Sequence, residues 1–355
     1  MSTRSDEPLK RPAASTTRVA IHGFGRIGRQ VFKAIWAHHR ADLEVVAIGL
    51  ERNDEAGVRS AAHLLKYDSN RGVFAHPVRA GADAIFVGGQ RIAVVAAPTL
   101  AQLPWRQHNV DLVIEATGVY TADRQSAGHL EAGADRVVIS APSDDADFTM
   151  IYGVNDADYD PAVHHIVSAG SDTTNALAMV IQALQGKFQI QNAMVTTTRA
   201  YTNAQKLLDA PDYVDLRRAR SAPTSIVPTT TRAAAAIGGV FPELAGRVSG
   251  YAVCVPVPAV SILELVVQLA EPATTDALNA AFREAAKGPL RHVLAVSDAP
   301  LVSSDYLNSP FSATVDAPLT MTIGPLAKIS AWYDNEWGYS NRVADVTAAM
   351  AARSQ

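Results

Sequence analysis

The chemistry legible in this sequence begins at Gly23-Phe24-Gly25-Arg26-Ile27-Gly28. Glycines at this spacing let a backbone approach a pyrophosphate, and the helix N-terminus beginning near Arg26 offers N–H donors to it. The apolar run Arg18-Val19-Ala20-Ile21 leads directly into the turn, so the context is strand, turn, helix. Such a unit should carry an acid about 20 residues on, at the end of its second strand, to bind the adenosine ribose hydroxyls. That strand end reads Gly49-Leu50-Glu51-Arg52. Two readings stay open. Glu51 takes the diol, which suits NAD, or the missing acid removes repulsion against a 2′-phosphate that pairs with Arg52, which suits NADP. The balance tips slightly to NADP.

These groups need a scaffold. Between Arg29 and Ala41, Val31, Phe32, Ile35 and Trp36 recur at helical spacing, and Glu44-Val45-Val46-Ala47-Ile48 reads as a buried strand, completing a βαβ unit. Further strands are expected at Ile92–Val95, Leu112–Glu115 and Val137–Ser140, and the alternation predicts a mostly parallel, doubly wound sheet. Beyond residue 172 the pattern changes to β-branched runs at Met194–Thr198, Val253–Val257 and Ile262–Gln268, with a helix over Thr274–Lys287. A second, α+β unit with an antiparallel or mixed sheet is expected there. Val343, Val346, Thr347 and Met350 predict a last helix over Asn341–Ala352.

Composition narrows the function. A chain of 355 residues suits two domains, and 48% hydrophobic with 19% charged residues describes a soluble globular protein. A formal charge of −4 leaves no footprint for nucleic acid or an anionic membrane. Nothing approaches a run of about 18 apolar residues. The polar start, 1–17, reads as a disordered tail and not a signal peptide, so a cytoplasmic location is expected. One cysteine, Cys254, excludes an internal disulfide and a cysteine-rich metal cluster; no metal site is expected.

Three segments together carry a resemblance: the glycine turn, Ser168-Ala169-Gly170-Ser171-Asp172-Thr173-Thr174-Asn175, and Trp332-Tyr333-Asp334-Asn335-Glu336-Trp337-Gly338-Tyr339. With Lys66-Tyr67-Asp68-Ser69, Asp215–Arg220 and Pro256, they make the chain similar to the phosphorylating glyceraldehyde-3-phosphate dehydrogenases and their erythrose-4-phosphate relatives. The likeness runs from about Arg18 to Met350, with His63–Asp68 and Leu103-Pro104-Trp105 closer to the erythrose-4-phosphate enzymes. It implies an α/β fold: a Rossmann NAD(P)-binding domain over 18–171, an α+β catalytic domain over 172–334, and a segment 335–355 returning to the Rossmann domain. It also implies a homotetramer in which 201–223 lies near a subunit boundary, close to a neighbour's cofactor. Asn335 would hold the nicotinamide carboxamide and Tyr339 flank its ring. Thr117-Gly118 and Ser140 would line the cofactor beside Gly23, Phe24, Gly25, Arg26 and Ile27. Ala210 stands where NAD enzymes of the family tend to carry leucine, which leaves room for a phosphate.

The resemblance also exposes four departures. The family's nucleophilic cysteine is here Asp172, and its catalytic histidine is Arg199 in Thr197-Thr198-Arg199-Ala200-Tyr201-Thr202. Arginine stays protonated at physiological pH and cannot be a general base. Cys254 stands where the arginine that clamps the substrate phosphate belongs, and Arg232 replaces a glycine after Thr231. The surviving anion residues are Ser171, Thr173, Thr202, Arg218 and Thr231, to which Arg199 and Arg232 would add positive charge. Were Asp172 and Arg199 in contact, the arginine would favour the ionised carboxylate. Cys254 is read as a packing thiol in preference to a relocated nucleophile. The expected function is an NAD(P)-dependent oxidoreductase for a small phosphorylated or anionic sugar-like carbonyl or alcohol, working without a thioester. Asp172 would manage the proton and Arg199 orient the substrate. The alternative is a pseudoenzyme that binds cofactor or metabolite in a regulatory or structural role.

Overall fold

The computed structural model describes residues 16–122 and 124–354. Most of the tail expected over 1–17 lies outside the described residues, and its end, Thr17, already opens the first strand, Thr17–His22.

A nine-stranded sheet organises the first half of the chain. Its spatial order is Phe148–Thr149, Ile166–Ser168, Arg136–Ile139, Leu112–Glu115, Thr17–His22, Leu43–Gly49, Gln90–Val95, Ala84–Val87 and Val78–Ala80. All pairs from Phe148–Thr149 through Gln90–Val95 are parallel. The last two strands add antiparallel. Central strands such as Leu43–Gly49 and Leu112–Glu115 are covered on both faces, which is why they read as unbroken apolar runs. The mostly parallel sheet agrees with the expectation, while the antiparallel hairpin was not foreseen beyond Ile92–Val95.

The second sheet has eight strands and is mixed. Ile190–Ala200 pairs parallel with Val248–Val255 and antiparallel with Ser261–Leu269, which in turn pairs antiparallel with Leu326–Tyr333. Along Ser261–Leu269 the odd positions are buried and the even ones face outward, the period-two signature of a sheet covered on one side. Its covered face packs on helix Asp172–Gln185, which touches helices Ala233–Val240 and Thr275–Lys287 as well. Enclosure on nearly every side explains why that helix is apolar almost throughout. It begins just after Ile166–Ser168 of the first sheet, so Asp172 stands where the chain crosses from one sheet to the other. The last helix, Trp337–Arg353, packs on Arg26–His38 and starts four residues before the expected Asn341.

Candidate functional site

The three glycines of the first turn do different jobs. Gly23 has φ +88°, and a Cβ there would lie 2.5 Å from the Thr117 backbone nitrogen. A Cβ on Gly28 would lie 2.0 Å from the Gly23 carbonyl oxygen, so the helix can seat on the strand only without one. Around Gly25, the N-cap of Arg26–His38, nothing lies within 4 Å of the Cβ position. That open space at a helix N-terminus fits a diphosphate. Phe24 is buried edge-on against Phe32, and Ile27 packs on the same core. At the strand end Leu50 packs partly into the core, whereas Glu51 and Arg52 are exposed. Arg52 pairs with Asp54, whose carboxylate also caps helix Glu55–Lys66 by accepting from the Gly57 N–H.

Beneath the turn lies a buried acid that the sequence reading passed over. Glu115 ends its strand just before Thr117-Gly118 and is 1% exposed. Its Oε1 accepts from the Thr117 N–H at 2.8 Å and from the Thr117 hydroxyl. Its Oε2 accepts from His22 Nδ1 at 2.7 Å and His129 Nε2 at 3.0 Å. Burial opposes ionisation, but the hydrogen bonds from His129, His22 and Thr117 outweigh it and bring the carboxyl down to about 2. The tautomers follow from Trp105, whose Nε1–H can only donate and does so to His129 Nδ1 at 3.0 Å. His129 therefore carries its proton on Nε2. Ligand atoms of His22, Glu115 and His129 lie within 4.8 Å of one another, close enough to gather round a metal. Metal binding would need the His129 Nε2 lone pair and would turn an Nδ1–H against the Trp105 N–H, so the cluster is built as a hydrogen-bond network. A buried charge at a strand end was the signal available in the sequence, since it must find partners. The His22 ring also fills the place of a Gly49 side chain: a Cβ there would lie 2.5 Å from His22 Cδ2.

A second charged network joins the glycine turn to the C-terminal motif. The Arg26 guanidinium binds Glu336 at 2.6 and 2.5 Å and Asp68 at 3.1 Å. Its side chain is thus committed within the protein, leaving its backbone to face a diphosphate. Arg71 grips Asp334 through two bonds of 2.9 and 2.7 Å and reaches Glu336 at 3.2 Å. Asp334 Oδ1 also accepts from the Glu336 and Trp337 N–H groups and starts the last helix. Asn335 sits between these anchored acids. Its Oδ1 accepts from the Val260 N–H at 3.0 Å, and among the described residues its Nδ2 has no hydrogen bond, so it is free to donate. The Tyr339 hydroxyl donates to the Gly170 carbonyl at 2.7 Å, beside the Asp172 turn. Burial, with the Asp172 charge added, raises the Tyr339 phenol well above its usual range.

Asp172 is the first residue of its helix, and Ser171 is the N-cap, accepting from the Thr174 N–H at 3.0 Å. Arg199 lies near the end of Ile190–Ala200 with Cys254 as its register partner. Among the described residues the two do not form an ion pair. The Arg199 guanidinium has no hydrogen bond among the described residues, yet Asp172 is the leading influence raising its pKa, ahead of burial, which lowers it. The contact considered from sequence is therefore absent. Around Asp172, Thr173 donates toward Oδ1 at 3.4 Å and bonds the Tyr333 hydroxyl at 3.0 Å. Cys254 is buried and accepts from Gln205 Nε2 at 3.3 Å; burial pushes its thiol up against the opposing pull of Arg199 and Arg218. It has the setting of a packing thiol.

The remaining anion residues are largely engaged. Gln205 Oε1 accepts from the Thr202 N–H and hydroxyl. The Thr231 hydroxyl accepts from the Ala233 N–H. Arg232 pairs with Asp144, so the free positive charge expected of it is neutralised. Arg218 approaches Asp212 only to 3.8 Å. The Ser140 N–H donates to the Glu115 carbonyl at 2.9 Å, which fixes the start of its turn beside Thr117-Gly118.

A Rossmann sheet with an open glycine turn, followed by a mixed catalytic-type sheet, defines a two-part dinucleotide-binding α/β protein. Comparison gives the family. Residues 17–123 match "Glyceraldehyde 3-phosphate dehydrogenase, NAD binding domain" and residues 171–335 match "Glyceraldehyde 3-phosphate dehydrogenase, C-terminal domain"; the chain belongs to the glyceraldehyde-3-phosphate dehydrogenase family. It is 48% identical over 345 residues to the chloroplastic glyceraldehyde-3-phosphate dehydrogenase A of Chlamydomonas reinhardtii, covering 96% of this chain and 90% of that one. Identity to the Geobacillus stearothermophilus glyceraldehyde-3-phosphate dehydrogenase is 47% over 337 residues, 95% of this chain and 98% of that one. With the Kitasatospora aureofaciens enzyme it is 48% over 337 residues, 95% and 100%. None of the described helices is long and apolar enough to cross a membrane.

Proposed function

We propose that this protein is an NAD(P)-dependent oxidoreductase acting on a small phosphorylated or otherwise anionic sugar-like carbonyl or alcohol, without a covalent thioester. The observation that carries the reading is the pair Asp172 and Arg199: the Asp172 charge is the leading influence on the Arg199 guanidinium, yet among the described residues no ion pair or hydrogen bond joins them. Gly23, Gly25 and Arg26 would hold the diphosphate through backbone groups, Thr117-Gly118 and Ser140 would line the cleft, and Asn335 Nδ2 would take the carboxamide. The bound nicotinamide supplies hydride transfer. Asp172 takes the proton from the substrate hydroxyl in oxidation and returns it in reduction, while Arg199 polarises the oxygen or orients an anionic group. Neither side chain forms an acyl intermediate from which phosphate releases product, as a cysteine thiolate would.

Two features support the parts of this reading that concern assembly and cofactor. Leu207, Leu208, Tyr213, Val214 and Leu216 are all strongly exposed on one loop, which favours a homotetramer with that loop at a subunit boundary. Arg52 is exposed and its ion pair with Asp54 is exposed too; a side-chain rotation would free it for a 2′-phosphate, which keeps NADP open beside NAD. A cytoplasmic location is part of the proposal. A pseudoenzyme is the second reading, favoured by Ser171, Thr231 and Arg232, whose anion-binding atoms are occupied by the fold itself.

The test is a fluorescence titration with NADH and NADPH, followed by a screen of phosphorylated and carboxylated aldoses and alcohols for cofactor turnover. Binding with turnover abolished in Asp172→Ala is expected. Acyl-phosphate formation from glyceraldehyde-3-phosphate, NAD and phosphate on the order of 10 per second would refute the non-covalent reading. Binding without turnover of any compound would favour the pseudoenzyme.

A further inference from the structure

We infer that Glu115 is a positioning residue that joins the two cofactor-lining turns into one unit, so that dinucleotide affinity depends on its charge. The inference rests on the proposed use of NAD or NADP and adds a residue to it.

The two turns are Gly23–Gly25 and Thr117-Gly118. They abut so closely that a Cβ on Gly23 would meet the Thr117 nitrogen at 2.5 Å. Each turn is tied to Glu115 by its own oxygen. Oε1 receives the Thr117 N–H and hydroxyl, holding one turn. Oε2 receives Nδ1 of His22, the residue immediately before Gly23, holding the other. His129 supplies a further donor to Oε2, its proton kept on Nε2 by the Trp105 N–H behind it. Four donors thus converge on one carboxylate, and an ionised acid is the side chain that accepts them all. The side chains of Glu115 and His129 are fully buried and that of His22 nearly so, and water does not substitute easily for any of these bonds.

Glutamine has the same shape but turns one oxygen into an NH2. Whichever way the amide is set, its donors face the Thr117 pair or the two imidazole N–H groups. Glu115→Gln should therefore loosen one turn relative to the other. Thr117→Val removes one donor at the cofactor end and leaves the imidazole side intact, and Thr117→Ser restores it.

The experiment measures NADH and NADPH dissociation constants by fluorescence for wild type, Glu115→Gln, Thr117→Val and Thr117→Ser, with thermal melts of each. Expected are a loss of roughly tenfold or more in Glu115→Gln, several-fold in Thr117→Val at a melting temperature close to wild type, and wild-type affinity in Thr117→Ser. Should Glu115→Gln fail to fold, the Thr117 pair carries the test. Unchanged affinity in Thr117→Val while wild type binds overturns this inference alone. Wild type that binds neither dinucleotide overturns the cofactor reading and this inference with it.

Discussion

Replacing Arg71 by alanine should cost far more stability than a shorter surface ion pair would lead one to expect. Arg71 and Asp334 have side chains 5% and 0% exposed, with contacts of 2.7 and 2.9 Å. Arg91 and Asp83 come closer, at 2.6 Å, but are 48% and 74% exposed. Exposed pairs contribute about 1 kcal/mol or less, whereas removing one partner of a buried pair costs about 3–5 kcal/mol because the other charge is left stranded. Asp334 would keep three backbone donors, from Asn308, Glu336 and Trp337, which places the loss near 3 kcal/mol. At roughly 2–4 °C per kcal/mol for a large domain, the melting temperature should fall by roughly 6–12 °C. Arg91→Ala should move it by no more than a few degrees. Urea denaturation of both variants at low and high salt gives the comparison, and only the Arg91 effect should fade with salt. Equal losses for Arg71→Ala and Arg91→Ala would refute the argument that burial, and not contact distance, sets the magnitude.

Acid should unfold the protein partly through Glu115. Its folded pKa is about 2 against a reference of 4.5, so its contribution is present above pH 4.5 and fades as the pH falls toward 2. That contribution is on the order of 3 kcal/mol. Glu115→Gln should flatten the stability curve over this window, and parallel curves for the two proteins would count against it. Arg52→Ala should weaken NADPH about tenfold and leave NADH unchanged; tighter NADH binding in wild type, indifferent to the substitution, would mean that Glu51 has taken the ribose. Light scattering should give a tetramer at micromolar concentration, and a monomer would exclude it.

The sheets were legible because their strands carry their own period. Leu112–Glu115 appears with its bounds unchanged, and the helix expected over Thr274–Lys287 begins at Thr275 with Thr274 as its cap. The first helix starts at Arg26, where the glycine turn had placed its N-terminus, with Gly25 as its N-cap. What the sequence concealed is pairing across distance. His22 and Glu115 are 93 residues apart, and Arg26 and Glu336 are 310 apart; no local pattern relates them. The separation of Asp172 from Arg199 is likewise a matter of where a helix start and a strand end fall in space.

The seat of the His22 ring against Gly49 has a consequence for how the sequence can drift. Position 49 cannot gain even a methyl group while an imidazole held by Glu115 occupies the place of that methyl. Shrinking position 22 opens the space but takes a donor from the acid. The two positions are therefore open to change in one order only, 22 before 49. The intermediate must tolerate a less saturated carboxylate, so neither residue evolves independently of the other.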